Sequence, residues 1–92
     1  MKLIRLNASS WRSQEDFYSA LLPRLEAPAW HGRNLDALEE SLRDGDINQL
    51  GPPFKVIVEK APREMNAFLS KVAVVFSDVR ATTQAEIDFE TV

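Results

Sequence analysis

Three carboxylates in the middle of the chain have a spacing that places their side chains together on a helix. Asp36, Glu39 and Glu40 lie at positions i, i+3 and i+4, and residues with this spacing project from one side of an α-helix. Arg43 follows Glu39 by four residues, so the two can form an ion pair. Such a cluster can attract a basic partner or hold a divalent cation, and it can also be a solvated helix face with no binding role.

Two further aspartates are placed where helix stability does not explain them. Asp44 lies near the predicted end of the same helix, where the helix dipole disfavours a carboxylate by about 0.3 to 1 kcal/mol. Asp78 lies near the predicted end of a later helix and meets the same unfavourable dipole. Asp46 extends the negative cluster beyond the helix. These positions favour a binding role for the acidic cluster over a merely solvated face.

The sequence contains little that indicates catalysis. His31 is the single histidine, and no Ser, Cys or second His stands at motif spacing from it, so we interpret it as a loop residue. The phosphate-binding, nucleophile-elbow and zinc-hydrolase motifs are absent, and the carboxylates lack EF-hand spacing. We therefore predict a protein that is not an enzyme and needs no cofactor or metal. A metal-assisted enzyme built on Asp36, Glu39 and Glu40 is kept as a minor hypothesis.

The loop before the acidic helix holds an aromatic residue and a glycine. Trp30 can anchor a partner or cover the core, and residue type alone favours the core for it, as it does for Trp11. Gly32 can supply a positive φ or admit a partner's backbone, and a turn requirement is the favoured interpretation.

Composition restricts the partner and the compartment. Eleven basic and fourteen acidic residues give a formal net charge of −3, which argues against nucleic acid and indicates a basic partner. The absence of cysteine excludes disulfides and thiolate chemistry. The start lacks the apolar segment of a secretory signal, and the longest apolar run, at 72–76, is far shorter than the ~20 residues that cross a bilayer. We expect a cytoplasmic protein without membrane association.

Hydrophobic periodicity predicts the element order β-α-α-β-α-β in a single domain, residues 1–92. The predicted strands and helices are 2–6, from Ser13 to no further than Pro28, from Asn34 to Gly45, 54–59, 63–79 and 86–91. Helices between the strands favour a small three-stranded parallel sheet packed with helices, an α/β fold. Pro23 should kink or end the first helix, and the alternating last strand fits an edge.

The segment from Pro28 to Leu38 carries a family resemblance. It reads Pro28-x-Trp30-His31-Gly32-x-Asn34-Leu35-Asp36-Ala37-Leu38, and it resembles the barstar family, the intracellular inhibitors of the bacterial ribonuclease barnase. Phe76-x-Asp78 stands where that family carries Phe-x-Glu. The resemblance extends more loosely over nearly the whole chain and implies the same small parallel sheet.

The resemblance implies an inhibitory surface made of this loop and the helix after it. Trp30 takes the place of the contacting aromatic, Gly32 and Asn34 fall on loop contacts, and Asp36 matches an interface aspartate. Glu40 falls on the key acidic position, where barstar has aspartate. Asp78 stands for a supporting glutamate.

Three departures from the family pattern bear on the target. Glu39 stands where barstar presents a tryptophan, Gly45 falls near a second tryptophan position, and Glu40 is one methylene longer than the aspartate it replaces. Fewer aromatic anchors and a longer acid change the contacts a partner would meet.

The leading hypothesis is an inhibitor, monomeric when free, that binds a basic barnase-like ribonuclease one to one and blocks its active site. Its predicted partner-binding residues are Trp30, Gly32, Asn34, Asp36, Glu39, Glu40, Asp44 and Asp78. The alternative keeps the fold and makes it an interaction module for a different basic protein.

Overall fold

The computed structural model describes residues 1–92 and contains every predicted element in the predicted order. The strands are β1 (Lys2–Asn7), β2 (Phe54–Glu59) and β3 (Ile87–Thr91). The helices are α1 (Gln14–Arg24), α2 (Leu35–Arg43) and α3 (Asn66–Thr83), with a short 3-10 helix at Arg63–Met65 before α3. The predicted α/β class is confirmed.

The three strands form one parallel sheet in the order β1-β2-β3. Val56 of β2 stands between Ile4 and Phe89 in the register, so the most continuously apolar strand is the central one. Val56 and Val58 are fully buried, as expected for a parallel strand covered by helices. β3 lies at an edge, as its alternating pattern predicts.

Local sequence explains where α1 begins and ends. The Asp16 carboxylate accepts hydrogen bonds from the backbone N–H groups of Arg12 and Ser13 (2.7 and 3.2 Å), which satisfies donors at the start of the helix. Pro23 lies inside the last turn, and the helix ends at Arg24.

α3 extends four residues beyond its predicted end at Val79. It ends at Thr83, where Gln84 takes a left-handed conformation with φ 60°. Asp78 therefore lies more than one turn inside the helix, and the prediction that it meets the unfavourable end of the dipole is wrong.

The core packs the sheet against the helices through 22 buried side chains. Trp11, Phe17, Tyr18 and Phe68 meet edge to face near the start of α1, so the predicted core position of Trp11 is confirmed. None of the helices is both long and apolar enough to span a bilayer. The element that matters for the site is α2, which packs one of its sides against this core.

Candidate partner-binding surface

Packing and capping fix the rotation of α2. The Asn34 side-chain oxygen accepts a hydrogen bond from the Ala37 N–H at 2.8 Å, so Asn34 is the predicted N-cap. Leu38 is fully buried and Leu42 nearly so. Because these leucines occupy the inner side, Asp36 and Glu40 are turned outward and are exposed.

We define the acidic surface as the exposed region formed by the loop before α2, by α2 itself and by the neighbouring part of α3. Its exposed residues are Trp30, Asp36, Glu40, Asp44 and Asp78, and the half-buried Glu39 lies among them. They include five of the chain's carboxylates.

Four of these five carboxylates have no cation within the chain. Glu39 pairs with Arg43 at 3.0 Å, as its i, i+4 spacing predicts. The other four, Asp36, Glu40, Asp44 and Asp78, form no ion pair within 4.0 Å. The acidic surface therefore keeps most of its negative charge.

Arg43 also connects α2 to α3. Its guanidinium donates a hydrogen bond to the Thr82 hydroxyl, which in turn donates to the backbone carbonyl of Asp78 at 2.9 Å. Asp78 lies one turn before Thr82 on the same side of α3. The structure thus brings Asp78 to the side of α3 next to α2, and it places one cation among the carboxylates.

Trp30 is 74 % exposed, so the core position that its residue type favours is wrong. The reason is a turn: the His31 N–H donates to the Pro28 carbonyl at 3.0 Å, and Trp30 occupies a corner of that turn. The adjacent His31 side chain takes the inward direction instead and is 7 % exposed. A large aromatic ring left in solvent has the character of an interface anchor.

Gly32 is required by close packing and not by backbone conformation. No glycine in the chain has a positive φ, so the turn interpretation is wrong. A Cβ on Gly32 would lie 2.9 Å from the Ala37 Cβ and 3.2 Å from the Asn34 amide nitrogen. The loop therefore lies directly on the first turn of α2. Gly45, by contrast, has nothing within 4 Å of such a Cβ.

His31 is the site residue that sequence reasoning missed. Its ring nitrogens lie 2.6 Å from the Gly32 carbonyl oxygen and 2.8 Å from the Ser41 hydroxyl. The Asn48 amide donates to the same hydroxyl at 3.1 Å. Ser41 was the available signal, because it interrupts the apolar stripe of Leu38 and Leu42, and a buried hydroxyl requires a partner.

The acidic side chains do not form a metal site. No group of three or more His, Cys, Asp or Glu residues could hold a metal ion. What the surface offers is unneutralised negative charge beside an exposed indole.

Sequence comparison identifies the family of the chain. A family model described as Barstar (barnase inhibitor) matches residues 1–92, the whole chain. No curated protein gives a significant sequence match. The chain belongs to the barstar family.

Proposed function

We propose that this barstar-family protein is a cytoplasmic inhibitor that binds a barnase-type ribonuclease one to one and blocks its active site with the acidic surface. The observation that carries the proposal is the presence of four exposed carboxylates without an intramolecular cation beside an exposed tryptophan. Trp30, Asp36, Glu40 and Asp44 belong to the loop and helix that the family resemblance assigns to inhibition, and Asp78 lies on the side of α3 next to them.

Electrostatics supplies the mechanism of recognition. A ribonuclease binds RNA phosphates with cationic side chains, and the carboxylates of Asp36, Glu40 and Asp44 offer those side chains the same charge in a fixed arrangement. Opposite charges on the two proteins accelerate their encounter, and salt weakens that effect. No cation of the chain neutralises these carboxylates, although Asp44 Oδ1 accepts a hydrogen bond from the Asp46 N–H at 3.0 Å. Their charge is therefore available to the enzyme.

Trp30 supplies the apolar part of the contact. Its ring is already in solvent in the free protein, held at the corner of the turn from Pro28 to His31. Binding would therefore bury aromatic area without first pulling a side chain out of the core. Aromatic anchors of this kind carry much of the binding energy in protein interfaces.

Arg43 bears on which enzyme is the natural target. It pairs with Glu39, the residue that replaces a family tryptophan, so this part of the surface is polar and nearly neutral. A cationic active site that tolerates Arg43 needs a polar or acidic group opposite it. The pair of Arg43 and Glu39 therefore favours a cognate enzyme that differs from barnase. The same pair is the observation behind the alternative function, an interaction module for another basic protein.

The test is a titration of the protein into a barnase-type ribonuclease, with RNA cleavage followed at low and high salt. We expect inhibition that is complete at equimolar protein and weaker at high salt. Glu40→Gln should weaken inhibition. Glu64→Gln removes the same charge from an exposed, unpaired residue outside the acidic surface and should leave it unchanged.

Absence of inhibition at both salt concentrations would overturn the inhibitor proposal. The alternative would then be favoured, and capture of a basic protein other than a nuclease by the immobilised chain would support it. Equal weakening by Glu40→Gln and Glu64→Gln would show that only net charge matters and would contradict the assigned surface.

A further inference from the structure

We propose that His31 is a positioning residue for the acidic surface: its buried ring fastens the turn that displays Trp30 to the second half of α2. The meaning of this role for inhibition rests on the proposed function. The fastening itself is a property of the free protein and can be tested without a partner.

The backbone of His31 closes the turn and its side chain anchors it. The His31 N–H donates to the Pro28 carbonyl at 3.0 Å, which leaves Ala29 and Trp30 at the two corners, both exposed. The imidazole points the other way and is 7 % exposed. The backbone of His31 therefore places Trp30 in solvent, while its side chain anchors the turn in the interior.

The ring joins two places in the chain that are ten residues apart. The Gly32 carbonyl can only accept a hydrogen bond, so the ring nitrogen 2.6 Å from it, Nδ1, carries a proton. The other nitrogen, Nε2, lies 2.8 Å from the Ser41 hydroxyl. The same hydroxyl lies 3.1 Å from the Leu38 carbonyl oxygen, and the two contacts of the ring together fix the orientation of the imidazole.

Ser41 extends the connection to the loop that follows α2. Asn48 donates to the Ser41 hydroxyl at 3.1 Å, and both residues are buried. The network thus spans the loop before α2, the helix and the loop after it. The Asn48 side-chain oxygen is the one buried atom of this network without a hydrogen-bond partner. The hydrogen bonds that the network does make restrain the two loops against the helix.

Loss of the ring has a specific consequence. Without it, the buried Ser41 hydroxyl loses a partner and the turn loses its attachment to α2. Trp30 would then move independently of Asp36 and Glu40, and a partner would have to order it on binding. Such ordering weakens a complex without changing the charges that bring the two proteins together.

The first experiment uses ¹⁵N relaxation on the free protein, where Trp30 and Trp11 give separate indole signals. We expect His31→Phe to lower the order parameter of the Trp30 indole and of the Ala29 amide below about 0.6, the range of flexible groups. The Trp11 signal, which reports on the core, should not change.

Ser41→Ala tests the same connection with a smaller change and replaces His31→Phe if that variant does not fold. It removes the hydroxyl that the ring contacts and leaves the ring in place. We expect it to raise the mobility of Trp30 in the same direction. Unchanged order at Trp30 in a folded variant of either kind would overturn the proposal.

The second experiment measures binding kinetics to a barnase-type ribonuclease. We expect His31→Phe to speed dissociation about tenfold while association and its salt dependence stay unchanged. Glu40→Gln should instead slow association and leave dissociation nearly unchanged. If the wild type does not bind, the proposed function fails and the relaxation experiment still decides the role of His31. Unaltered dissociation in a variant with a mobile Trp30 would overturn the role in inhibition.

Discussion

The loop and helix from Pro28 to Asp44 have an inner and an outer side, which differ in burial and in whether their polar groups have partners within the chain. On the inner side, Leu38 is fully buried, and the polar atoms of His31 and Ser41 have hydrogen-bond partners. On the outer side, Asp36 and Glu40 are exposed and form no ion pair. The inner side is arranged for stability. The carboxylates of the outer side keep their charge unneutralised, as the proposed contact with a basic partner requires.

The largest loss of stability is expected at Leu38, on the inner side. Leu38→Ala should lower the free energy of unfolding by about 2 to 5 kcal/mol, because it leaves a cavity under α2. Asp36→Ala, two residues earlier and exposed, loses only the favourable interaction of its charge with the start of the helix and should lower the free energy of unfolding by no more than about 1 kcal/mol. Urea unfolding measures both. Equal effects at the two positions would contradict the division into sides.

Tyr18, in the core, departs from the pattern of the inner side. Its hydroxyl is buried without a hydrogen-bond partner, and burial, followed by the charge of Glu15, raises the pKa of Tyr18 from 10.0 to about 12. As the pH rises, Tyr18 ionises in the unfolded chain before it ionises in the folded protein. The contribution of the neutral Tyr18 hydroxyl to the free energy of unfolding is therefore complete below pH 10 and is lost as the pH rises to 12.

Unfolding of Tyr18→Phe should isolate this contribution. Relative to this variant, the wild type should lose about 2 kcal/mol of unfolding free energy between pH 9 and pH 12. A parallel pH dependence in the two proteins would show that Tyr18 ionises as it does in water.

Gly32 and Gly45 provide a matched pair at the two ends of α2. Gly32→Ala should lower the free energy of unfolding by about 1 to 3 kcal/mol, because its Cβ would meet the Ala37 Cβ at 2.9 Å. Gly45→Ala meets nothing within 4 Å and should be neutral or stabilising by up to about 1 kcal/mol. Thermal unfolding of the two variants checks the difference. A larger loss of stability in Gly45→Ala than in Gly32→Ala would contradict the close packing at Gly32.

The smallest expected effect is at Asp44, where stability and binding should move in opposite directions. Asp44 follows the last residue of α2, so its charge opposes the helix dipole. Asp44→Asn should raise the free energy of unfolding by about 0.3 to 1 kcal/mol, and it should weaken inhibition of a barnase-type ribonuclease. Denaturant unfolding and a cleavage assay on one preparation measure both. A variant that is less stable, or that inhibits better, would contradict the assignment of Asp44 to the outer side.

The fold could be predicted because periodicity records which side of each element is buried. The order of the strands in the sheet could not be predicted, because strand pairing depends on contacts between residues that are far apart in the sequence. The end of α3 was missed because Arg80, Thr82 and Thr83 are exposed, so no apolar pattern marks the last turn.

The candidate site could be predicted in part. The acidic side of α2 and the Asn34 cap follow from spacing and residue type. The exposure of Trp30 does not, because it depends on which of two adjacent residues, Trp30 or His31, finds a buried partner. The reason for Gly32 lies in the approach of the loop to Ala37, which only the folded chain reveals.

The central claim is that the acidic surface is the part of the molecule that contacts a ribonuclease. Titration of an unlabelled barnase-type ribonuclease into the ¹⁵N-labelled protein tests it directly. We predict that amide shifts concentrate in the loop from Pro28 to Asn34, in α2 and around Asp78, and that the Trp30 indole signal moves with them. Shifts confined to the edge of β3 or to the 3-10 helix, with α2 undisturbed, would contradict the claim.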